Sequence, residues 1–244
     1  MKLSPSLNVF LRIARELGPN IIRDQHELAH LQSSVKDPAG FVQRTLERTH
    51  RTFAVQMARL KPDMPLVYLH AEQPIIPAGV NEVVIVKLLD GIHNLAHNLP
   101  FIANYFGYFK ATSEGWIEQS ALIDNPLLKE SYYADASGIA HLEEYSLDRA
   151  STRKLSVSQR QHPDSLLLHS ANPLAQIYVG AKQINMGSDL LATAMMAAGR
   201  FDAASVAMFN NIPLGGVLVN QAGGRLSSKS GAMIACTPEI AKAA

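Results

Sequence analysis

The chain has 244 residues, a formal net charge of +1, 47% hydrophobic and 18% charged residues, which is the profile of a globular protein with a sizeable core. Its Lys and Arg are interspersed with Asp and Glu, so no basic run marks a nucleic-acid groove, and no apolar stretch reaches the roughly 18 residues of a membrane span. The single cysteine, Cys236, excludes an intrachain disulfide and fits a reducing cytoplasm; the opening MKLSPSLNVFLRIARELG is broken by Arg12, Arg15 and Glu16 and does not read as a secretory signal.

Residues 7–31 repeat apolar groups at helical spacing, with Pro19 marking a kink or a break into two helices. SSVKDPAG (33–40) is a turn by composition, and 41–61 is a second amphipathic helix. The period then changes. PLVYLHAE (65–72) and EVVIVKLLD (82–90) read as buried strands. FIANYFGYFKAT (101–112), WIEQSALID (116–124) and ESYYADA (130–136) alternate more and predict an antiparallel meander. Residues 143–164 are polar and predict a loop or irregular region. SLLLHS (165–170) and QIYVGA (176–181) predict strands, and GSDLLATAMMAAGR (187–200) a helix capped by Ser188 and ended near Gly199. A further helix is expected over about 213–222, then strands at RLSS and AMIACT. The pattern gives an α/β layered architecture. One unit over 1–244 is expected, with a first lobe to about residue 140 and a second from about 141.

The segment KLLDGIHNLAHNLPF (87–101) runs from a strand through Asp90-Gly91 into a short helix. Glycine permits the sharp turn, and the free N–H groups of a helix start suit a phosphate. Strand–Asp-Gly–helix is common, however, and the pattern alone is more often a structural turn.

This loop resembles the Asp-Pro-Leu-Asp-Gly-Thr-Thr-Asn-Phe loop of the inositol monophosphatase family, particularly its bacterial, extragenic-suppressor branch. Four more segments resemble that family's motifs in the same order: SVKDPAGFV (34–42), YLHAEQ (68–73), NMGSDLLATAMMAAGRFDA (185–203) and NIPLGGVLVNQAGGRLS (211–227). The resemblance implies the layered αβαβα sandwich of the sugar-phosphatase superfamily, often as a homodimer. It also implies a phosphatase site in which carboxylates hold Mg²⁺, clamp the phosphate and activate water.

Carried over position by position, that site is depleted. The family's Glu-Glu pair falls on Ala71-Glu72. The first loop Asp falls on Lys87, and the second is kept as Asp90. The two Thr fall on Ile92 and His93, and the Asp of the Trp-Asp motif on Asn211. The remnant catalytic positions are therefore Glu72, Asp90, Ile92 and His93, and the degenerate metal positions are Ala71, Glu72, Lys87, Asp90 and Asn211. Candidate phosphate or substrate contacts are Lys36, Gly91, Asn94, Gly187, Ser188 and Asp202, although Lys36, Ser188 and Asp202 read equally as turn, cap and structural residues.

Mg²⁺ requires a near-octahedral oxygen shell, and an ammonium beside the remaining acids repels a cation. The expectation is therefore no bound metal, with Lys87 replacing the ion and pairing with Asp90 and Glu72; Mg²⁺ is expected only if the chain is active. His93 and His97 share a helix face and are either Zn²⁺ or Mn²⁺ ligands or ordinary surface and capping residues. The leading functional reading is a pseudophosphatase with a binding or regulatory role, through the remnant pocket, a dimer surface or a protein partner. Its rivals are an active Mg²⁺-dependent phosphatase acting on inositol monophosphate or a related sugar phosphate, and a non-hydrolytic binder of a phosphate-bearing ligand.

Overall fold

The computed structural model describes residues 3–31, 37–146, 149–169, 180–229 and 232–243. Two long helices come first, α1 (Pro5–Leu31) and α2 (Pro38–Leu60). Helix α1 is one element with Pro19 inside it, so of the two alternatives the single helix is the one that forms. Its apolar stripe of Leu7, Phe10, Ile13, Leu17 and Ile21 is buried along the whole length, and that packing outweighs the one hydrogen bond a proline removes. Helix α2 starts three residues before the expected position. Asp37 caps it by accepting from Gly40 N, and Pro38 occupies the first turn, where its missing N–H has no partner to lose.

Seven strands form the first sheet in sequence order: β1 (Leu66–Tyr68), β2 (Glu82–Asp90), β3 (Ala103–Thr112), β4 (Gly115–Asn125), β5 (Glu130–Asp135), β6 (His141–Tyr145) and β7 (Ala150–Lys154). Strand β1 runs parallel to β2, and the rest are antiparallel. The meander is therefore longer than its sequence signal, because β7 and the second half of β6 lie in the stretch 143–164 expected to be irregular. All five residues of β7 are exposed. An edge strand with no buried face carries no apolar alternation to read.

Between β2 and β3 lies α3 (Ile92–Ala96). The second sheet contains β8 (Leu167–His169), β9 (Lys182–Ile184), β10 (Ala203–Ser205), β13 (Arg225–Lys229) and β14 (Ala232–Cys236), in the order β13-β14-β10-β8-β9. A hairpin of β11 (Met208–Phe209) and β12 (Ile212–Pro213), the helices α4 (Asp189–Ala197), α5 (Gly216–Gln221) and α6 (Pro238–Ala243), and a short 3-10 helix (Pro163–Ser165) complete the described elements. The strand expected over 176–181 falls mostly outside the described residues.

Strand alternation explains the layering. Val84, Val86, Phe106, Leu122 and Tyr133 face α1 and α2, and Phe106 stacks on Phe10 and Phe53. Val83, Ile85, Tyr105, Phe109, Ile123 and Tyr132 face the other way, onto Leu190, Leu191, Met196, Val217 and Leu218 of α4 and α5. Those helices also cover Ala204 and Ala235 of the second sheet, whose opposite face packs Leu168, Ala203 and Ile234 against Ile240 of α6. The order is helix, sheet, helix, sheet, helix, the αβαβα sandwich that the resemblance implies. Among the described residues no helix is long and apolar enough to cross a membrane.

Candidate functional site

The site forms where β2 turns into α3. In a regular strand Lys87 and Asp90 would face opposite sides of the sheet. The register slips between them: Lys87 pairs with Tyr105 but Asp90 with Ala103, one residue more on β2 than on β3. This bulge brings the two side chains together, with Lys87 Nζ 2.6 Å from Asp90 Oδ1. Its cost shows at Leu89, a bulky residue at φ 51°, in a conformation that disfavours side chains. Asn104 Oδ1 accepts from Leu89 N at 3.0 Å, and His70 Nε2 donates to the Leu88 carbonyl, so two hydrogen bonds hold the strained segment.

The other oxygen of Asp90 is also engaged. Ser188 Oγ donates to Asp90 Oδ2 at 2.7 Å, and Leu190 N donates to the same atom at 3.2 Å. Ser188 simultaneously caps α4 by accepting from Leu191 N at 3.2 Å. A carboxylate from the first sheet thus occupies the amino end of α4, where the peptide dipoles favour negative charge. Asp90 and Ser188 are both buried.

Glycine is required at Gly91. Its φ is +80°, and a Cβ there would approach the Phe101 carbonyl to 2.5 Å. Asn94 Nδ2 donates to the Phe101 carbonyl at 2.7 Å and to the Met186 carbonyl at 2.6 Å, tying α3 to the segment before α4. Gly187, at φ +70°, packs against Asn94.

The remaining positions lie apart from this cluster. Ala71 and Glu72 are exposed in the turn after β1. Glu72 lies outside ion-pair distance of Lys87, so the ammonium goes to Asp90 alone and not to both acids as expected. Ile92 is half-buried, packed toward α1 and α2, and His93 is exposed. Asn210 and Asn211 form the exposed turn between β11 and β12, at φ 47° and 64°; Asn is favoured there because its short side chain tolerates the left-handed region. Asp202 is fully buried and accepts from Leu167 N at 2.7 Å and from Arg160 Nη1 at 3.2 Å, a clamp between β8 and the preceding segment. Lys36 lies outside the described residues.

Three residues near these elements carry no sequence signal. His70 holds the bulge, as described. His169 on β8 is fully buried, with Nδ1 3.7 Å from Asp189 Oδ1 and neither ring nitrogen hydrogen-bonded among the described residues. Burial pushes its pKa below the ordinary histidine value, against the pull of Asp189 and Asp90. Glu118 on β4 accepts from Gly215 N at 3.0 Å and Val217 N at 2.8 Å and from the Tyr105 hydroxyl, plugging the start of α5. Burial raises its pKa to about 7 even though every partner favours the carboxylate.

No family model matches the chain. It is 26% identical over 243 residues to the inositol-1-monophosphatase of Mesorhizobium japonicum, covering 95% of this chain and 88% of that protein. It is 25% identical over 250 aligned positions to the Nus factor SuhB of Pseudomonas aeruginosa, covering 94% and 87%. The crystal structure of the extragenic suppressor protein SuhB from Bartonella henselae superposes with a TM-score of 0.77 at 21% identity, over 99% of this chain and 97% of that one. The chain is thus similar in sequence, along nearly its whole length, to inositol-1-monophosphatases and SuhB proteins, and it shares the five-layer fold of a solved SuhB structure.

Proposed function

We propose that the chain is a non-hydrolysing member of the inositol monophosphatase family, a pseudophosphatase with a binding or regulatory role, cytoplasmic and homodimeric. One observation carries the reading: both oxygens of Asp90 are held by the protein's own donors, Lys87 on one and Ser188 with Leu190 N on the other. The residues around it fit Mg²⁺ poorly. An ion reaching Asp90 Oδ1 would have to displace an ammonium. Ala71 offers no side-chain oxygen, the Asn211 side chain offers only a neutral amide, and Mg²⁺ needs about six well-placed oxygens. Lys87 therefore compensates the buried carboxylate in place of an ion, and no hydrolytic step is assigned to these side chains. One of the relatives bears the name of a Nus factor and not of a phosphatase, which fits a role other than hydrolysis.

A second reading is an active phosphatase acting on inositol monophosphate with a reduced ligand set of Asp90 and Glu72. The name of the Mesorhizobium relative favours it. A third, a phosphate-ligand binder using Lys36, Lys87, Gly91, Asn94, Gly187, Ser188 or Asp202, is disfavoured because the helix end at Ser188 already receives Asp90.

The test is phosphate release from inositol 1-phosphate over a Mg²⁺ titration, with the Lys87→Asp, Ala71→Glu, Asn211→Asp triple variant alongside. The wild type should release no phosphate above background at any Mg²⁺ concentration. Mg²⁺-dependent turnover by the wild type would overturn the proposal in favour of the second reading.

A further inference from the structure

We propose that His93 and His97 form a binding site for a borderline divalent transition-metal ion, of the zinc and nickel class, distinct from the Lys87–Asp90 pair. His93 lies on α3 and His97 is its C-cap, one turn on. The His97 backbone N–H is shared between the His93 carbonyl at 3.2 Å and the Asn94 carbonyl at 3.1 Å, and helical residues four apart are neighbours, with Cβ atoms about 5–6 Å apart. Both are exposed, and both line the same cleft of about 480 Å³, walled by Leu28 of α1 and by Pro38 and Ala39 at the start of α2.

Neither imidazole forms a hydrogen bond or an ion pair with any described residue. A metal would therefore break no hydrogen bond or ion pair with a described residue to reach them. The described lining of the cleft contains no carboxylate. Nitrogen donors without anionic oxygen favour Zn²⁺, Ni²⁺ or Cu²⁺ over Mg²⁺ or Ca²⁺, which prefer oxygen. Asn98 lines the same cleft, and its side-chain oxygen is buried without a hydrogen-bond partner among the described residues. That orphan acceptor could accept a hydrogen bond from a metal-bound water, and such outer partners orient a metal's ligands. No third His, Cys, Asp or Glu joins the pair among the described residues, so an ion held there keeps open positions for water or an external ligand.

The experiment is titration of Zn²⁺ alone into wild-type protein by calorimetry, with His93→Ala, His97→Ala and a control, His26→Ala, on the exposed face of α1. One ion should bind per chain, each alanine variant of the pair should weaken binding about tenfold or more, and the control should match wild type. With Cu²⁺ as the probe, electron paramagnetic resonance should show nitrogen ligation that both variants disrupt. If an alanine variant fails to fold, His93→Asn and His97→Asn take its place. The absence of stoichiometric Zn²⁺ binding, or binding that both variants retain, overturns the proposal. Neither Mg²⁺ nor phosphate release enters this measurement, so its failure is separable from failure of the pseudophosphatase reading.

Discussion

Glu118 is a buried carboxyl group surrounded only by donors, and its energetics are set by which of two opposing effects wins. The Gly215 and Val217 N–H groups and the Tyr105 hydroxyl favour ionisation, but loss of water dominates and raises the pKa from 4.5 to about 7. The folded state is then richer in protons than the unfolded state between about pH 4.5 and 7. This contribution to stability is present at low pH and is lost as pH rises through that window. His169 acts in the opposite sense: its lowered pKa keeps it neutral in the fold, so stability is lost as pH falls below the ordinary histidine value. Urea midpoints of wild type and Glu118→Gln between pH 4.5 and 7.5 isolate the first effect. The advantage of the wild type over the variant should shrink steadily as pH rises. A difference that is constant across the window would show that Glu118 is ionised throughout.

At the scale of elements, Arg15 joins α1 to the first sheet. Its guanidinium donates to Ser131 Oγ at 2.9 Å, pairs with Glu143, lies 3.5 Å from Asp124 Oδ1 and sits 3.5 Å from the centroid of the Tyr145 ring. Asp124 is fully buried, and loss of water raises its pKa to about 6 against the pull of Arg15 and Ser131. Arg15→Ala should cost about 2 kcal/mol at pH 7, because it leaves a buried acid with its charge uncompensated. The cost should diminish below pH 6, where Asp124 takes up a proton, and thermal unfolding at pH 7.5 and pH 5 would detect the change. Elements also set how much of the chain can be read locally. The stripe of α1 and the apolar run of β2 each bury a continuous face, so their composition announces them. The two-residue strands β11 and β12 and the wholly exposed β7 do not; they exist because a neighbouring strand pairs with them.

At the scale of the whole molecule, a ligand that binds only the folded state raises its stability by mass action. If Lys87 stands in for the cation, the thermal midpoint of the wild type should stay flat as Mg²⁺ rises through the millimolar range at constant ionic strength. The Lys87→Asp, Ala71→Glu double variant should instead show a midpoint that climbs with Mg²⁺. A wild-type midpoint that climbs under the same conditions would mean that the ion competes successfully with Lys87 for Asp90. The five layers bear on this outcome, because Asp90 bridges the first sheet and the central helical layer through Ser188. Replacing its partner is therefore felt across that interface.

The sequence by itself determined the family resemblance, the long helices, most of the meander and the junction at Asp90-Gly91. These depend on residue type and local spacing: a helix stripe, an apolar run, a glycine at a turn. The presence of Lys87 three residues before Asp90 was equally legible, and so was the pair His93 and His97. Only the tertiary structure decided how the charges are arranged. Whether Lys87 meets Asp90 or faces away from it depends on a one-residue bulge, which is fixed by pairing with β3 and held by Asn104 and His70. The bond from Ser188 to Asp90 spans 98 positions of sequence, and that from Gly215 to Glu118 spans 97. Such contacts follow from sheet register and layer packing. A shift of one residue turns a strand's side chains to the opposite face, so no local pattern encodes which carboxylate will fill which helix end.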